Sequence, residues 1–296
     1  MANNQRSSNE PPASSSFTSI SHESDVSNDA RTHIERIRRN LGADNTLNKD
    51  GQSIVSNLHG VLQRSLEKLS TDLYSEEGHF VLELIQNADD NHYEIELPSL
   101  RFIISKERVL VCNNETGFSA DNISAICNVG ASTKGKHKKG YTGHKGIGFK
   151  SVFMVSHKPE VHSNDYHIRF DTHEGQQQMG YILPIWLNQF EENLSDLNEW
   201  RTCIRLPLRS DVRIDNLQKK FANIEPKLLL FLNRLKQIEF IDELDNNLVK
   251  KTFRRIDHAD GEIIELQEQI SNDVSRKNFW LVVKQVIDVP EDIKVI

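Results

Sequence analysis

Three observations predict an α+β fold in which a mixed sheet carries helices on one face. Helical periodicity fills the first ordered stretch, from Thr32 to Tyr93. Strand patterns follow between Leu100 and Leu208 and again from Gln237 to Ile287. The order is helices, hairpin, glycine-rich loop, strands, helix, strands, which is not the regular alternation of a doubly wound parallel fold.

Residues 1–31 are rich in Ser, Asn and Pro, with Phe17, Ile20 and Val26 as isolated apolar residues. Such a stretch buries too little surface to offset its ordering entropy and reads as a disordered tail. Order begins near Thr32 with a helical run that ends at Gly42, a C-cap residue. Ile54, Leu58, Val61, Leu62, Leu66, Leu69 and Leu73 repeat at helical spacing over Ser53–Tyr74, and Glu76–Tyr93 is another helix. Leu100–Ser105 and Arg108–Cys112 flank Lys106-Glu107 as a two-residue hairpin. Tyr166–Thr172, Met179–Leu187 and Thr202–Leu208 read as strands, and Val212–Leu235 as one helix. Gln237–Ile241, Leu248–Ile256, Glu262–Gln267 and Phe279–Ile287 read as a last run of strands.

Composition removes several function classes. The 296 residues carry 36 Lys plus Arg against 43 Asp plus Glu, a net charge of −7. A net acidic chain is a poor nucleic-acid coat. No apolar run is long enough to span a bilayer, and the N-terminus lacks the apolar core of a secretory signal. The 3 cysteines, Cys112, Cys127 and Cys203, show no C-x-x-C spacing, which argues against a disulfide framework or zinc site. These features suit an intracellular protein, cytoplasmic or nuclear, with no membrane partner.

Two segments carry chemistry. In FVLELIQNADDNHY, Glu83, Asn87 and Asp90 fall on one helical stripe, while Val81, Leu84, Ile85 and Ala88 form an apolar flank. An acid, an amide and an acid lining a pocket offer a general base and oxygen ligands for a hard cation such as magnesium. The plainer alternative is a polar face turned to water. The second segment, GASTKGKHKKGYTGHKGIGFK, spans 130–150 and holds six lysines and no acids. Gly143, Gly146 and Gly148 precede the helical-looking run FKSVF. A glycine turn entering a helix N-terminus points free N–H groups at an anion. G-x-x-G-x-G is neither the Rossmann fingerprint nor the Walker loop. A basic surface loop and a nucleic-acid contact are the competing readings, the latter with only Tyr141 and Phe149 for base stacking.

These segments, in this order, resemble the GHKL ATPase superfamily of gyrase, heat-shock chaperone, histidine kinase and MutL proteins. E-x-x-x-N-x-x-D is matched by Glu83, Asn87 and Asp90, and G-x-x-G-x-G-[FL] by Gly143, Gly146, Gly148 and Phe149. D-x-G-x-G is matched in part by Asn113-Asn114-Glu115-Thr116-Gly117, and Thr202 resembles the later strand threonine near adenine. ELIQNADDN, CNNETGF, NVGASTKGK, GHKGIGFKSVF and LLLFLNRL resemble the NO VEIN-like and sacsin-like branch in particular.

The resemblance implies a Bergerat-type two-layer sandwich over 32–209, with N-terminal helices at 32–75, and a helix-and-strand extension at 210–296 that reads as cut short. It implies ATP and Mg2+ as cofactors, Glu83 as general base and Asn87 as magnesium ligand. Asp90, Asn113, Gly117, Phe118 and Thr202 would line the nucleotide pocket. Val129–Gly143, with Ser132, Thr133 and Lys134, corresponds to the lid over the phosphates. Gly143, His144, Lys145, Gly146, Ile147, Gly148 and Phe149 would contact the phosphates. Asn113 stands where the family has an aspartate for the adenine amine, which implies a weaker bond, because charge-assisted hydrogen bonds are roughly twice as strong as neutral ones.

The activity implied is a slow magnesium-dependent ATPase, ATP and water giving ADP and phosphate, acting as a conformational switch or chaperone-like module. Homodimerisation on ATP binding belongs to the same expectation. The alternatives are a non-catalytic nucleotide-binding scaffold and a chromatin-associated MORC-like ATPase. A histidine kinase would need a phosphoacceptor on a dimerising helix, and His59 and His79 read instead as surface or packing residues.

Overall fold

The computed structural model describes residues 20–43, 48–73, 79–128, 148–173, 179–190, 199–244, 248–259, 262–271 and 276–283. Helices α1 (Ile20–Asn40), α2 (Lys49–Leu73) and α3 (His79–Asp89) come first. Strands β1 (Ser99–Ile104) and β2 (Arg108–Asn113) form the hairpin, followed by α4 (Ala120–Ile126). A 3-10 turn at Gly148–Met154 leads to β3 (Glu160–Ser163), β4 (Tyr166–Arg169), β5 (Ile185–Trp186) and β6 (Thr202–Pro207). Helix α5 (Ile214–Ala222), a 3-10 turn at Pro226–Phe231 and strands β7 (Gln237–Asp242), β8 (Val249–Asp257), β9 (Ile263–Ile270) and β10 (Arg276–Leu281) are the last described elements.

Among the described residues, ten strands join one open sheet in the order β10-β9-β8-β7-β1-β2-β6-β3-β4-β5. The β1–β7 pair is parallel, with Ser99 opposite Gln237, and the other pairs are antiparallel. The α+β class read from the sequence is the architecture found, a two-layer sandwich.

Strand alternation explains the layering. Leu100, Phe102 and Ile104 of β1, Val109 and Val111 of β2, and Ile204 and Leu206 of β6 share one core with Phe80, Val81, Leu84 and Ile85 of α3, Ile123 of α4 and Leu217 and Phe221 of α5. Phe102 stacks on Phe240 with ring centroids 5.4 Å apart. Each such fully buried side chain contributes about 1.5–3 kcal/mol. The alternate residues Ile103, Leu110, Cys112 and Cys203 lie on the opposite face under Trp200 and Phe190. There the Cys112 and Cys203 sulfurs sit 3.3 Å apart as free thiols.

Several elements differ from the sequence reading. Helix α1 starts at Ile20, inside the segment read as a tail, and its Ala30 and Ile34 reach the core. His33 also ties it to Tyr166 (3.0 Å) and Ser124 (3.1 Å). Val212–Leu235 is α5 and a separate 3-10 turn, because Pro226 cannot donate to an α-helical ladder. Within Met179–Leu187 only Ile185–Trp186 is strand. The amides of Ile182 and Leu183 turn back to the Met179 carbonyl, and Pro184 follows. Strand β3 and helix α4 escaped notice, being short and polar, although α4 carries a capping box between Ser119 and Asn122. Among the described residues, no helix is long and apolar enough to cross a membrane.

One buried carboxylate fastens the second half of the chain to α3. Asp89, 1% exposed, accepts from the backbone N–H groups of Asn233 (2.8 Å), Arg234 (2.7 Å) and Leu235 (2.9 Å). The amides of Lys236 and Gln237 then meet the Pro98 carbonyl, just before β1. Asp89→Ala leaves buried donors unpaired, each at about 1–3 kcal/mol. The expected loss is about 3 kcal/mol, read as a lower urea midpoint at unchanged slope; a loss under about 1 kcal/mol contradicts the clasp.

Candidate functional site

The sequence-selected residues fall into two groups. The first joins α3 to the start of the Gly148–Met154 turn. Glu83 and Asn87, one helical turn apart, face Gly148 so closely that a Cβ there would collide with Glu83 Oε2 and lie 3.6 Å from Asn87 Nδ2. The bare backbone of Gly148 is what lets the stripe and the turn meet. The apolar flank of α3 anchors it, since Phe80, Val81, Leu84, Ile85 and Ala88 are buried. His79 Nδ1 stands 3.7 Å from Glu83 Oε1. Asp90, on the same stripe, is buried at the end of the helix and shares no described contact with Gly148.

The second group sits at one end of the central strands, on the helix-bearing face. Register sets Asn113 opposite Thr202 and Thr202 opposite Ser163, so three adjacent strands present a polar row. The hydrogen bonds in this row run one way when the Glu115 carboxyl is ionised. The Phe118 N–H donates to Ser163 Oγ at 2.7 Å. The Ser163 hydroxyl donates to Thr202 Oγ1 at 2.6 Å, and the Thr202 hydroxyl donates to Glu115 Oε1. The Gly117 amide also acts on the Glu115 carboxyl, favouring its charged form. Glu115 is 4% exposed. Burial raises its pKa above the usual carboxylate range, with the Thr202 and Gly117 bonds opposing the rise. Gly117 has φ +94, a conformation that favours glycine, and a Cβ there would collide with the Asn164 side chain.

Asn113 is tied to two neighbours. Its Oδ1 accepts the Glu115 N–H at 2.8 Å and its Nδ2 donates to Tyr93 OH at 2.7 Å. Tyr93 in turn donates to the Ala88 carbonyl at 2.7 Å, which links this row to the end of α3. Burial raises the Tyr93 pKa and keeps the phenol a donor.

Phe149 packs partly buried on the core, 6.0 Å from the Phe170 ring. The next residue departs from the basic-patch reading. Lys150 is buried and donates to the Ile126 and Tyr181 carbonyls, each at 2.6 Å, with Phe170 at 5.1 Å. Its charge braces α4 instead of facing an anion. Ser132, Thr133, Lys134, Gly143, His144, Lys145, Gly146 and Ile147, with the rest of 129–147, lie outside the described residues.

Glu115, Ser163, Tyr93 and Asp89 were missed as partners. For Asp89 a signal existed: it continues the buried stripe of Val81 and Ile85, where an acid needs donors. Ser163 and Tyr93 gave none, because their pairing depends on register. Among the described residues, no cluster of three or more His, Cys, Asp or Glu could hold a metal ion by itself. Magnesium commonly takes one or two protein oxygens and keeps waters or phosphate oxygens for the rest, so the Asn87 amide oxygen suits it. Two open clefts, of about 600 and 420 Å³, flank residues 222–228 and contain none of the sequence-selected residues.

Comparison with known proteins gives three findings. A family described as Sacsin domain matches residues 101–182. Protein NO VEIN of Arabidopsis thaliana is 44% identical over 233 residues, covering 73% of this chain and 8% of that protein. Chaperone protein HtpG of Campylobacter jejuni subsp. doylei is 26% identical over 190 residues, covering 53% of this chain and 30% of that protein. The chain thus spans less than a third of either relative.

The buried lysine generates a pH test. Burial pushes the Lys150 ammonium from 10.5 down to about 8. Between these values the unfolded chain binds more protons than the folded one, so this group makes stability rise with pH across that window. Urea unfolding of the wild type and Lys150→Met from pH 8 to pH 10 is expected to show a stability difference that moves in the wild type's favour; a flat difference counts against the assignment.

Proposed function

We propose, for a chain that is sacsin-like and NO VEIN-like and related to the GHKL ATPases, that it is a nucleotide-binding module that hydrolyses ATP slowly with magnesium. The reading is carried by the meeting of Glu83 and Asn87 with the bare backbone of Gly148, a cradle that a Cβ would fill. A carboxylate beside a glycine turn can orient water and accept its proton, while turn amides hold the oxygens of a phosphate. Glu83 is the base in this reading, and Asn87 offers the amide oxygen for magnesium. Magnesium, when bound, neutralises charge that develops on the phosphate oxygens. The chain's own work is positioning, which dominates phosphoryl transfer. Asp89 fixes one end of the helix that carries both groups, and the buried row at Asn113, Glu115 and Thr202 receives the base.

Binding without turnover is the second reading, favoured by the departures at Asn113 and Glu115. A switch or chaperone-like role, with dimerisation on ATP binding, would follow from slow turnover.

Calorimetry and phosphate release separate these readings. Wild type is expected to bind magnesium-ATP and to release phosphate. Glu83→Ala is expected to keep binding within about threefold and to lose turnover by a factor of about 100 or more, the scale of a general base. Asn87→Ala is expected to weaken magnesium-dependent binding about tenfold or more, the scale of losing a group that holds or orients a metal. Unchanged turnover in Glu83→Ala removes the mechanism, and tight binding with no turnover in the wild type selects the second reading.

A further inference from the structure

Two cysteines meet where the strand register puts them. Cys112 of β2 lies directly opposite Cys203 of β6 in an antiparallel pair. Residues so placed have Cα atoms about 4.5–5.5 Å apart, inside the range of about 4.4–6.8 Å that a disulfide spans. Both side chains leave the sheet on one face, and the Cys203 thiol donates to the Cys112 sulfur at 3.3 Å. A disulfide bond of about 2 Å needs the two sulfurs to close by roughly 1 Å. The pair is buried under Trp200 and Phe190, on the face of the sheet opposite α3. Burial makes a single thiol inert. A second sulfur in contact changes that, because it captures a sulfenic acid as a disulfide before further oxidation. Cys127 lies apart, in the core on the helix side, where burial pushes its thiol up to about 12.

We infer that Cys112 and Cys203 are a redox modification site, a dithiol that hydrogen peroxide closes to a disulfide. The pair is 0% and 3% exposed, which admits a small uncharged oxidant and excludes a bulky disulfide such as oxidised glutathione. One thiolate attacks a peroxide oxygen: an S–O bond forms, the O–O bond breaks, and the departing hydroxide takes up the thiol proton as water. The second sulfur then attacks the sulfenic sulfur: the S–S bond forms, the S–O bond breaks, and a second water leaves with the second thiol's proton. The two thiols lose two electrons in all, and the peroxide gains them. The new bond ties β2 to β6 beside Asn113 and Thr202, the chain neighbours of the two cysteines. It closes a loop between positions 91 apart, which holds α4, the glycine-rich segment and β3 to β5. Its stabilising effect falls mainly on the unfolded chain, whose freedom such a long loop restricts. The site is independent of the nucleotide reading.

The test treats the full reduced chain with hydrogen peroxide under native conditions, then unfolds it, alkylates the remaining thiols and maps the peptides by mass spectrometry. The expected product is a linked Cys112–Cys203 peptide pair, two hydrogens lighter than the dithiol, with Cys127 alkylated as a thiol. A reductant is expected to restore both cysteines. The oxidised chain is expected to melt about 5 °C or more above the reduced one, the scale of closing a long loop. Cys203→Ala is expected to lose both the linked peptide and the response of Tm to peroxide. The wild-type mapping needs no variant, so a variant that fails to fold leaves the test standing. Intact thiols after peroxide overturn the inference, as does oxidation of either cysteine to sulfinic or sulfonic acid without a linked peptide. A bond from Cys112 or Cys203 to Cys127 overturns it too. So does a linked pair whose Tm is unchanged or lowered, since the bond then forms only at the expense of the fold.

Discussion

The carboxylate of Asp89 is the constraint on which the rest of the molecule hangs. It receives three successive backbone amides from 233–235, at 2.7–2.9 Å, inside the core. Buried donors of this kind must be satisfied, so the segment leading into β7 has one place to go. From there Lys236 and Gln237 reach Pro98, and β7 lies parallel to β1. Arg255 supports the same segment from β8 by donating to the Leu229 and Leu232 carbonyls, both at 2.9 Å. The helix that presents Glu83 and Asn87 is thus gripped at its C-terminal end by the far half of the chain.

Register is the second constraint. Asn113, Thr202 and Ser163 face the helices, while their chain neighbours Cys112, Cys203 and His162 face the other way. A slip of one residue would exchange a hydrogen-bonded polar row for a row of thiols and imidazole. The buried apolar positions on both sides of the row, Val111 and Ile204 among them, forbid that slip by requiring the helix face. Specific chemistry at the strand ends is therefore enforced by ordinary packing at the strand centres.

Much of this was legible in the sequence. The apolar stripe of α3, the β1–β2 hairpin and the outer strands β7 to β10 announce themselves by periodicity, because burial alternates as the backbone does. The proximity of Glu83 and Asn87 to Gly148 was legible through motif order, since short-range stripes survive into the fold. What was not legible depended on long-range geometry. Asn113 looks like a ligand acceptor in isolation, and only the fold shows it tied to Tyr93 and to the Glu115 amide. Lys150 looks like one more member of a basic run, yet it turns inward to two carbonyls. Pro226 marks a break in a leucine-rich run that hydrophobicity alone presents as continuous.

The continuity of the ten-stranded sheet has a consequence for how much chain makes a soluble unit. β7 covers an edge of β1, whose sequence is Ser-Leu-Arg-Phe-Ile-Ile. A fragment ending near Arg209 would keep every motif singled out in the sequence and yet bare that edge. Open N–H and C=O groups on so apolar a strand are a template for another copy's strand, and hence for aggregation. The outer strands are shielding as much as extension: the smallest piece that can be handled as a monomer is set by edge protection, not by where the recognisable motifs stop.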